Sequence, residues 1–372
     1  MAVLEHLLSP LQGKLNLKNR VVMAPLTRSR STSSHIPTPI MAAYYGERAN
    51  AGLIITEGTS PSINGVGYPR IPGIYNKEQI TAWKTVTDAV HANDGKIFLQ
   101  MMHTGRVSHP GNMSEDAVIL APSAIAPANT KMYVDGQGEL AIPQPKEMTF
   151  EEIEATVQEY VHAAKNAIEA GFDGVEIHGA NGYLLEQFIN PTSNRREDLY
   201  GGTAENRCRF ILEVARRVVD AIGSDKTGMR WSPNGQMNDV QPFEGQYETY
   251  DYLSKEVNKL NILYVHLVNH ASMGAPELPE AIHKMIQSNF DGLIILSGGY
   301  NKELAEEDLI AGKGDLVAFG RPFIANPDLV ERFSQDAILN EPNAALFYTP
   351  GKEGYLDQID WLQISLRYLH QK

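Results

Sequence analysis

His178, Asn181 and Tyr183 lie within six positions and could between them polarise a carbonyl and protonate a carbon. An imidazole and a carboxamide can both donate to one oxygen, and a phenol two residues further on is a proton source. The trio suits a conjugated carbonyl that receives hydride from elsewhere. It opens the run HGANGYLLEQFINPTSNRREDLYGG at 178–202, at the end of the β-rich run GVEIHG (174–179). In α/β barrels the carboxyl ends of strands carry the active site. A single histidine at a strand end is ordinary, but three such groups together point to chemistry.

Eight β-rich runs alternate with helical patterns: RVVMAP (20–25), GLIITEG (52–58), KIFLQMMH (96–103), GVEIHG (174–179), GMRWSP (228–233), LYVHLVN (263–269), GLIILSGG (292–299) and LVAFG (316–320). NKEQITAWKTVTDAVHAND and TFEEIEATVQEYVHAAKNAIEAG carry apolar residues at i, i+3, i+4 and i+7, the pattern of helices packed on one face. Eight strand-then-helix units predict an α/β fold, a (β/α)8 TIM barrel, as one domain over 1–372. An open doubly wound sheet is the alternative, since periodicity does not show closure. Two segments interrupt the repeat. The leader, with LSPLQG and LNLKNR, reads as an N-terminal hairpin on the barrel floor. The stretch 105–148 reads as a lid inserted after strand three, because loops of that length are usually functional or disordered.

Strand seven ends in LSGGY and strand eight in FGRPFIANP, offering Gly298, Gly299, Gly320 and Arg321 at the mouth. Loops after strands seven and eight form the recurrent phosphate site of such barrels. Glycines let backbone N–H groups approach an anion, and arginine adds charge-assisted hydrogen bonds. No GxGxxG follows a strand and no GxxxxGK[ST] occurs, so the monophosphate of FMN suits these residues better than a dinucleotide fold or a P-loop. Gln100 and Met102 share one face of strand three, and Arg230 is near the end of strand five. If these point inward, the guanidinium needs an anionic or strongly accepting partner. A flavin ring, whose N1–C2=O edge gains negative charge on reduction, meets that need, with Gln100 on its pyrimidine.

The 178–202 run and FGRPFIANP, with PLTR (25–28), GYPRIPGIY (67–75), LQMMHTGR (99–106) and LFYTPGKEGY (346–355), resemble the Old Yellow Enzyme family over nearly the whole chain. The likeness is to the branch of bacterial N-ethylmaleimide and pentaerythritol tetranitrate reductases. The resemblance implies noncovalent FMN, NAD(P)H as reductant and reduction of the C=C bond of α,β-unsaturated carbonyls and related activated alkenes. It implies hydride transfer from flavin N5 to the β-carbon and proton transfer from Tyr183 to the α-carbon. By the same resemblance Pro25, Leu26, Thr27 and Gly58 lie along the flavin, while His178, Asn181, Tyr183, Tyr68, Met102 and Tyr348 face the substrate. Relatives commonly carry an aromatic residue where Met102 stands and a glycine pair where Thr349-Pro350 follows Tyr348. Methionine implies a roomier or differently shaped cavity. Proline implies a stiffer loop.

The 372 residues are 42% hydrophobic and 21% charged, ordinary for a globular chain with a sizeable core. A net charge of −13 argues against nucleic acid or an anionic membrane as partner. One cysteine, Cys208, excludes an intramolecular disulfide and a four-thiolate metal site. The amino terminus lacks a signal-peptide pattern and no apolar stretch approaches about 18 residues, so a cytoplasmic, soluble monomer or homodimer is expected. A glycosidase would need two mouth carboxylates, whereas Glu57 is near a strand end and Glu176 lies inside one. A metal hydrolase would draw on His103, His178, His266 and His270, but no H-x-H pair occurs and no metal is expected.

Overall fold

A computed structural model describes residues 4–358. All eight predicted strands form: β1 (Val21–Met23), β2 (Leu53–Ile55), β3 (Ile97–Met101), β4 (Gly174–Gly179), β5 (Thr227–Trp231), β6 (Tyr264–Val268), β7 (Leu293–Ser297) and β8 (Leu316–Phe319). Each pairs in parallel with its neighbours and β1 pairs with β8, so the sheet closes. Closure selects the barrel over the open sheet.

The period of two divides each strand between two environments. Val21, Met23, Ile97, Leu99, Met101, Val175, Ile177 and Met229 face outward into the main apolar cluster, which also takes the buried faces of the surrounding helices. Val22, Leu53, Ile55, Phe98, Tyr264, Ile295 and Leu316 face inward and form a second cluster. Fully burying each such side chain stabilises the fold by about 1.5–3 kcal/mol. Leu11, Leu15 and Leu17 close that inner cluster from below, held by reciprocal Leu11–Leu17 backbone hydrogen bonds of 2.9 Å. Above the apolar layers the inward positions turn polar: Gln100, Glu176, Arg230 and His266 are all buried. The change from apolar to polar along one inner face sets the floor of the site.

Side-chain caps start the outer helices where the sequence places them. Asn76 accepts from the Gln79 N–H at the head of Lys77–His91. Thr149 accepts from the Glu152 N–H while Glu152 accepts from the Thr149 N–H, a capping box opening Phe150–Glu169. Such caps contribute about 1 kcal/mol each. Cys208 is fully buried in the helix Ala204–Ile222. Among the described residues no helix is long and apolar enough to cross a membrane.

The 105–148 stretch carries structure of its own. Leu120–Ala121 pairs in parallel with Lys146–Glu147, and Lys131–Val134 forms an antiparallel hairpin with Gly138–Ala141. Its Val107, Met132 and Ile142 bury against Val66, Ile71, Met102 and Tyr183. The insertion thus packs its apolar face on two residues of the predicted site.

Candidate active site

β4 delivers His178 to the top of the barrel interior, and the chain then turns through Asn181 (φ 58°) and Gly182 (φ 73°) into the short helix Leu184–Ile189. The Ala180 N–H points at His178 Nδ1 (3.2 Å), which makes Nδ1 the acceptor and leaves the ring proton on Nε2. Burial, with Arg230 and two further histidines nearby, holds the His178 pKa well below its usual value, so the ring is neutral. Tyr183 meets His178 edge-on at 5.0 Å between ring centroids, and its hydroxyl is 2.9 Å from that of Tyr68. Burial raises the Tyr183 pKa, keeping the phenol protonated. Asn181 Oδ1 accepts from His270 Nε2 at 2.9 Å.

Below this trio is a buried polar layer whose partners differ from the sequence expectation. Gln100 Nε2 donates to Glu176 Oε1 (2.7 Å), and His266 Nδ1 donates to Glu176 Oε2 (2.9 Å). Burial favours the neutral acid, yet His266, Arg230 and Gln100 outweigh it and hold the Glu176 carboxyl below its usual range. The anionic partner that Arg230 needs is therefore supplied in part by the chain itself, two residues before His178. Burial still lowers the Arg230 pKa, and its Nε has no hydrogen-bond partner among the described residues.

A cavity of about 400 Å3 opens over this layer. One wall is Pro25, Leu26 and Thr27, following β1; Gly298 and Gly299 after β7 and Gly320 and Arg321 after β8 make another. Gln100, Met102, His178, Asn181, Tyr183 and Arg230 face the same space, with Gly58 and Tyr348 at its edge. Tyr68 is placed by its bond to Tyr183 rather than on the cavity wall. Gly58 lines the cavity as expected of a residue beside the cofactor site, and a Cβ there would lie 2.4 Å from Met102 Sδ, so its missing side chain also makes room for Met102. Met102 is correspondingly buried, at 2% exposure. The segment carrying Tyr348 is tied to PLTR and beyond. Arg28 donates to the carbonyls of Phe347 (3.1 Å) and Gly354 (2.8 Å), and Arg30 to those of Leu346 (2.9 Å) and Phe347 (2.7 Å).

The residues fit FMN. Arg230 lines the cavity, and its buried Nε has no hydrogen-bond partner among the described residues. Gly298, which also lines the cavity, adopts φ 124°, and a Cβ there would lie 1.9 Å from the Asn269 carbonyl oxygen, so only glycine allows this bare backbone. Sequence reading missed His270, Asn238 and Met237, which come from the loops after β5 and β6. His270, two residues past the end of β6, could have been found by the same strand-end rule that found His178. In the sequence His270 stands out only as a candidate metal ligand. Among the described residues no group of three or more His, Cys, Asp or Glu could hold a metal ion.

None of these side chains can take up or release hydride, whereas together they can hold a carbonyl and cradle a phosphate. That defines the class, a barrel oxidoreductase whose bound cofactor carries the electrons. Residues 6–340 match the NADH:flavin oxidoreductase / NADH oxidase family. The chain is similar to 12-oxophytodienoate reductase 2 of Arabidopsis thaliana, 41% identical over 360 residues covering 94% of each chain. It is similar to a probable flavin mononucleotide-dependent alkene reductase of Leishmania infantum, 40% identical over 358 residues covering 95% of this chain and 97% of the relative. Among solved structures it resembles morphinone reductase, with a TM-score of 0.92 at 40% identity, covering 95% of this chain and 96% of the other. The chain belongs to this family, that of the Old Yellow Enzyme homologues. It is a flavin-dependent oxidoreductase of the alkene-reductase kind, using FMN and a nicotinamide reductant.

Proposed function

We propose that this chain reduces the C=C bond of α,β-unsaturated carbonyl compounds and related activated alkenes, as one FMN-binding domain with 105–148 as its lid. The observation that carries the reading is the paired presentation of His178 Nε2–H and Asn181 to a cavity that Tyr183 also lines. Gly298, Gly299, Gly320 and Arg321 would hold the FMN phosphate, Pro25, Leu26 and Thr27 would lie along the ring system, and Gln100 and Arg230 would meet its polar edge. Bound FMN supplies hydride taken from NAD(P)H.

The protein's own part is to bind, polarise and protonate. His178 and Asn181 donate to the substrate carbonyl oxygen and stabilise the negative charge that develops there, as an oxyanion hole. Because His178 is neutral, its contribution is a directed N–H dipole rather than a full charge. Tyr183 gives its hydroxyl proton to the α-carbon, and the Tyr68 hydroxyl 2.9 Å behind it stabilises the phenolate left. Met102 and Tyr348 shape the alkene's surroundings.

Heat denaturation of the purified protein should release FMN, and NAD(P)H should be consumed when a cyclic enone is added. Recovery of FAD alone, or a colourless protein that FMN does not reconstitute, removes the cofactor assignment. Tyr183→Phe should slow reoxidation by a weakly activated enone by about 10²–10⁴-fold, less where water replaces the phenol. Reduction by NAD(P)H should stay near the parent rate. Equal reoxidation rates in stopped-flow traces of parent and variant would take the proton-donor role from Tyr183.

A further inference from the structure

We infer that His270 is a positioning residue: it sets which end of the Asn181 carboxamide faces the substrate, and so makes the clamp donor-only. The inference rests on the reading of Asn181 as half of the carbonyl clamp.

Asn181 is held on three sides by groups from other loops. Its N–H donates to Ser232 Oγ (2.8 Å), and its carbonyl accepts from Asn238 Nδ2 (2.8 Å). Its Oδ1 accepts from His270 Nε2 (2.9 Å). Among the described residues only Nδ2 is left without a protein partner, and Asn181 lines the cavity. The first two bonds fix the left-handed backbone at φ 58°, a conformation unusual for a residue other than glycine. They leave the side-chain amide free to turn over. Its two ends are nearly the same shape but opposite in polarity, so only a directional neighbour tells them apart.

His270 is that neighbour, and its surroundings limit it to one role. The residue is 4% exposed, and its Nδ1 is buried without a hydrogen-bond partner among the described residues. Placing the proton on Nδ1 would bury an N–H with no acceptor, which is rarer in proteins than an unused lone pair. The proton therefore belongs on Nε2, where it must meet an oxygen. Burial and the charge of Arg230 hold the His270 pKa down to about 4, so the ring remains a neutral single donor near pH 7. The loop is also braced at its root, where the Asn269 N–H donates to the Ser297 carbonyl (2.8 Å) beside Gly298. With Oδ1 engaged by His270, Asn181 shows only N–H groups to the cavity, beside His178 Nε2–H. The site is then matched to an acceptor-only oxygen such as an enone carbonyl or a phenolate.

The test uses the FMN-loaded enzyme and 4-hydroxybenzaldehyde, whose phenolate places an acceptor-only oxygen in the clamp and stacks on the flavin to give a long-wavelength absorbance. Its affinity is titrated in the parent, His270→Phe, His270→Gln, Asn181→Ala and the double variant His270→Phe/Asn181→Ala. His270→Phe should weaken binding by about tenfold in the parent background and by less than about twofold when Asn181 is already alanine. His270→Gln, which can still donate to Oδ1, should recover much of the loss. Equal weakening in both backgrounds, or no weakening by His270→Phe while Asn181→Ala weakens binding, overturns the inference. Unchanged binding in Asn181→Ala overturns the clamp itself. Should His270→Phe lose its flavin, His270→Leu, which likewise cannot donate to Oδ1, takes its place in the same cycle, and additivity there overturns the inference equally.

Discussion

At the scale of single residues, Arg230 balances two partners. Glu176 stabilises the guanidinium from within the barrel, while its buried Nε has no hydrogen-bond partner among the described residues. The cation is thus partly neutralised before any ligand arrives; under the proposed function its remaining attraction is available to the flavin's polar edge. Arg230→Met should weaken FMN binding by about 10–100-fold, the worth of one charge-assisted hydrogen bond of about 1.5–3 kcal/mol. It should also shift the midpoint potential of bound flavin negative, because reduction adds negative charge that the cation stabilises. Fluorescence titration of FMN and a dye-equilibrated potential measure the two effects. Parent values in both would separate Arg230 from the flavin.

At the scale of elements, the strand ends differ in what their glycines do. Gly298, after β7, allows a backbone path that any Cβ would block against Asn269. Gly320, after β8, has φ −97°, and a Cβ there would meet only Leu26 Cδ2 at 3.4 Å. Gly298→Ala should therefore cost about 1–3 kcal/mol of apoprotein stability as well as FMN affinity. Gly320→Ala should leave urea unfolding of the apoprotein within about 0.5 kcal/mol of the parent and show its effect on FMN binding. A Gly320→Ala protein that binds FMN like the parent would remove the β8 end from the phosphate cradle.

At the scale of the whole molecule, burying neutral imidazoles makes the fold sensitive to acid. Burial holds His103 down to about 3 and, with Arg230, His270 down to about 4, against an ordinary value near 6.5. Between those values the unfolded chain binds more protons than the folded one, so this stabilisation is complete above about pH 7 and is lost as pH falls from about 6.5 toward 4. Burial raises Glu57 and Glu186 to about 7, which gives the opposite slope over about pH 4.5 to 7. A single replacement separates the two. His103→Gln should flatten the acid limb by about 1.4 kcal/mol per pH unit between roughly pH 6 and 4.5. Urea unfolding at fixed FMN measures it, and parallel acid limbs in parent and variant would show that His103 is already titrating at its ordinary value.

The features legible along the chain are local in origin. Alternation places one face of each strand inward, and a strand followed by a helix leaves its carboxyl end at the barrel mouth. His178, Asn181, Tyr183, Gly298, Gly320 and Arg321 could therefore be placed at that mouth from position alone. Which groups meet depends on how the sheet closes. Glu176 and His266 are 90 positions apart and bond because β4, β5 and β6 adjoin in a closed sheet. His270 reaches Asn181 across 89 positions for the same reason. The structure of the 105–148 stretch was hidden for a related cause: its short strands pair with one another, and its apolar residues find their core against Val66, Ile71, Met102 and Tyr183. Spacing along a chain reports which way a side chain points, whereas its partner, and with it the charge and orientation the side chain keeps, depends on closure that brings distant segments into register.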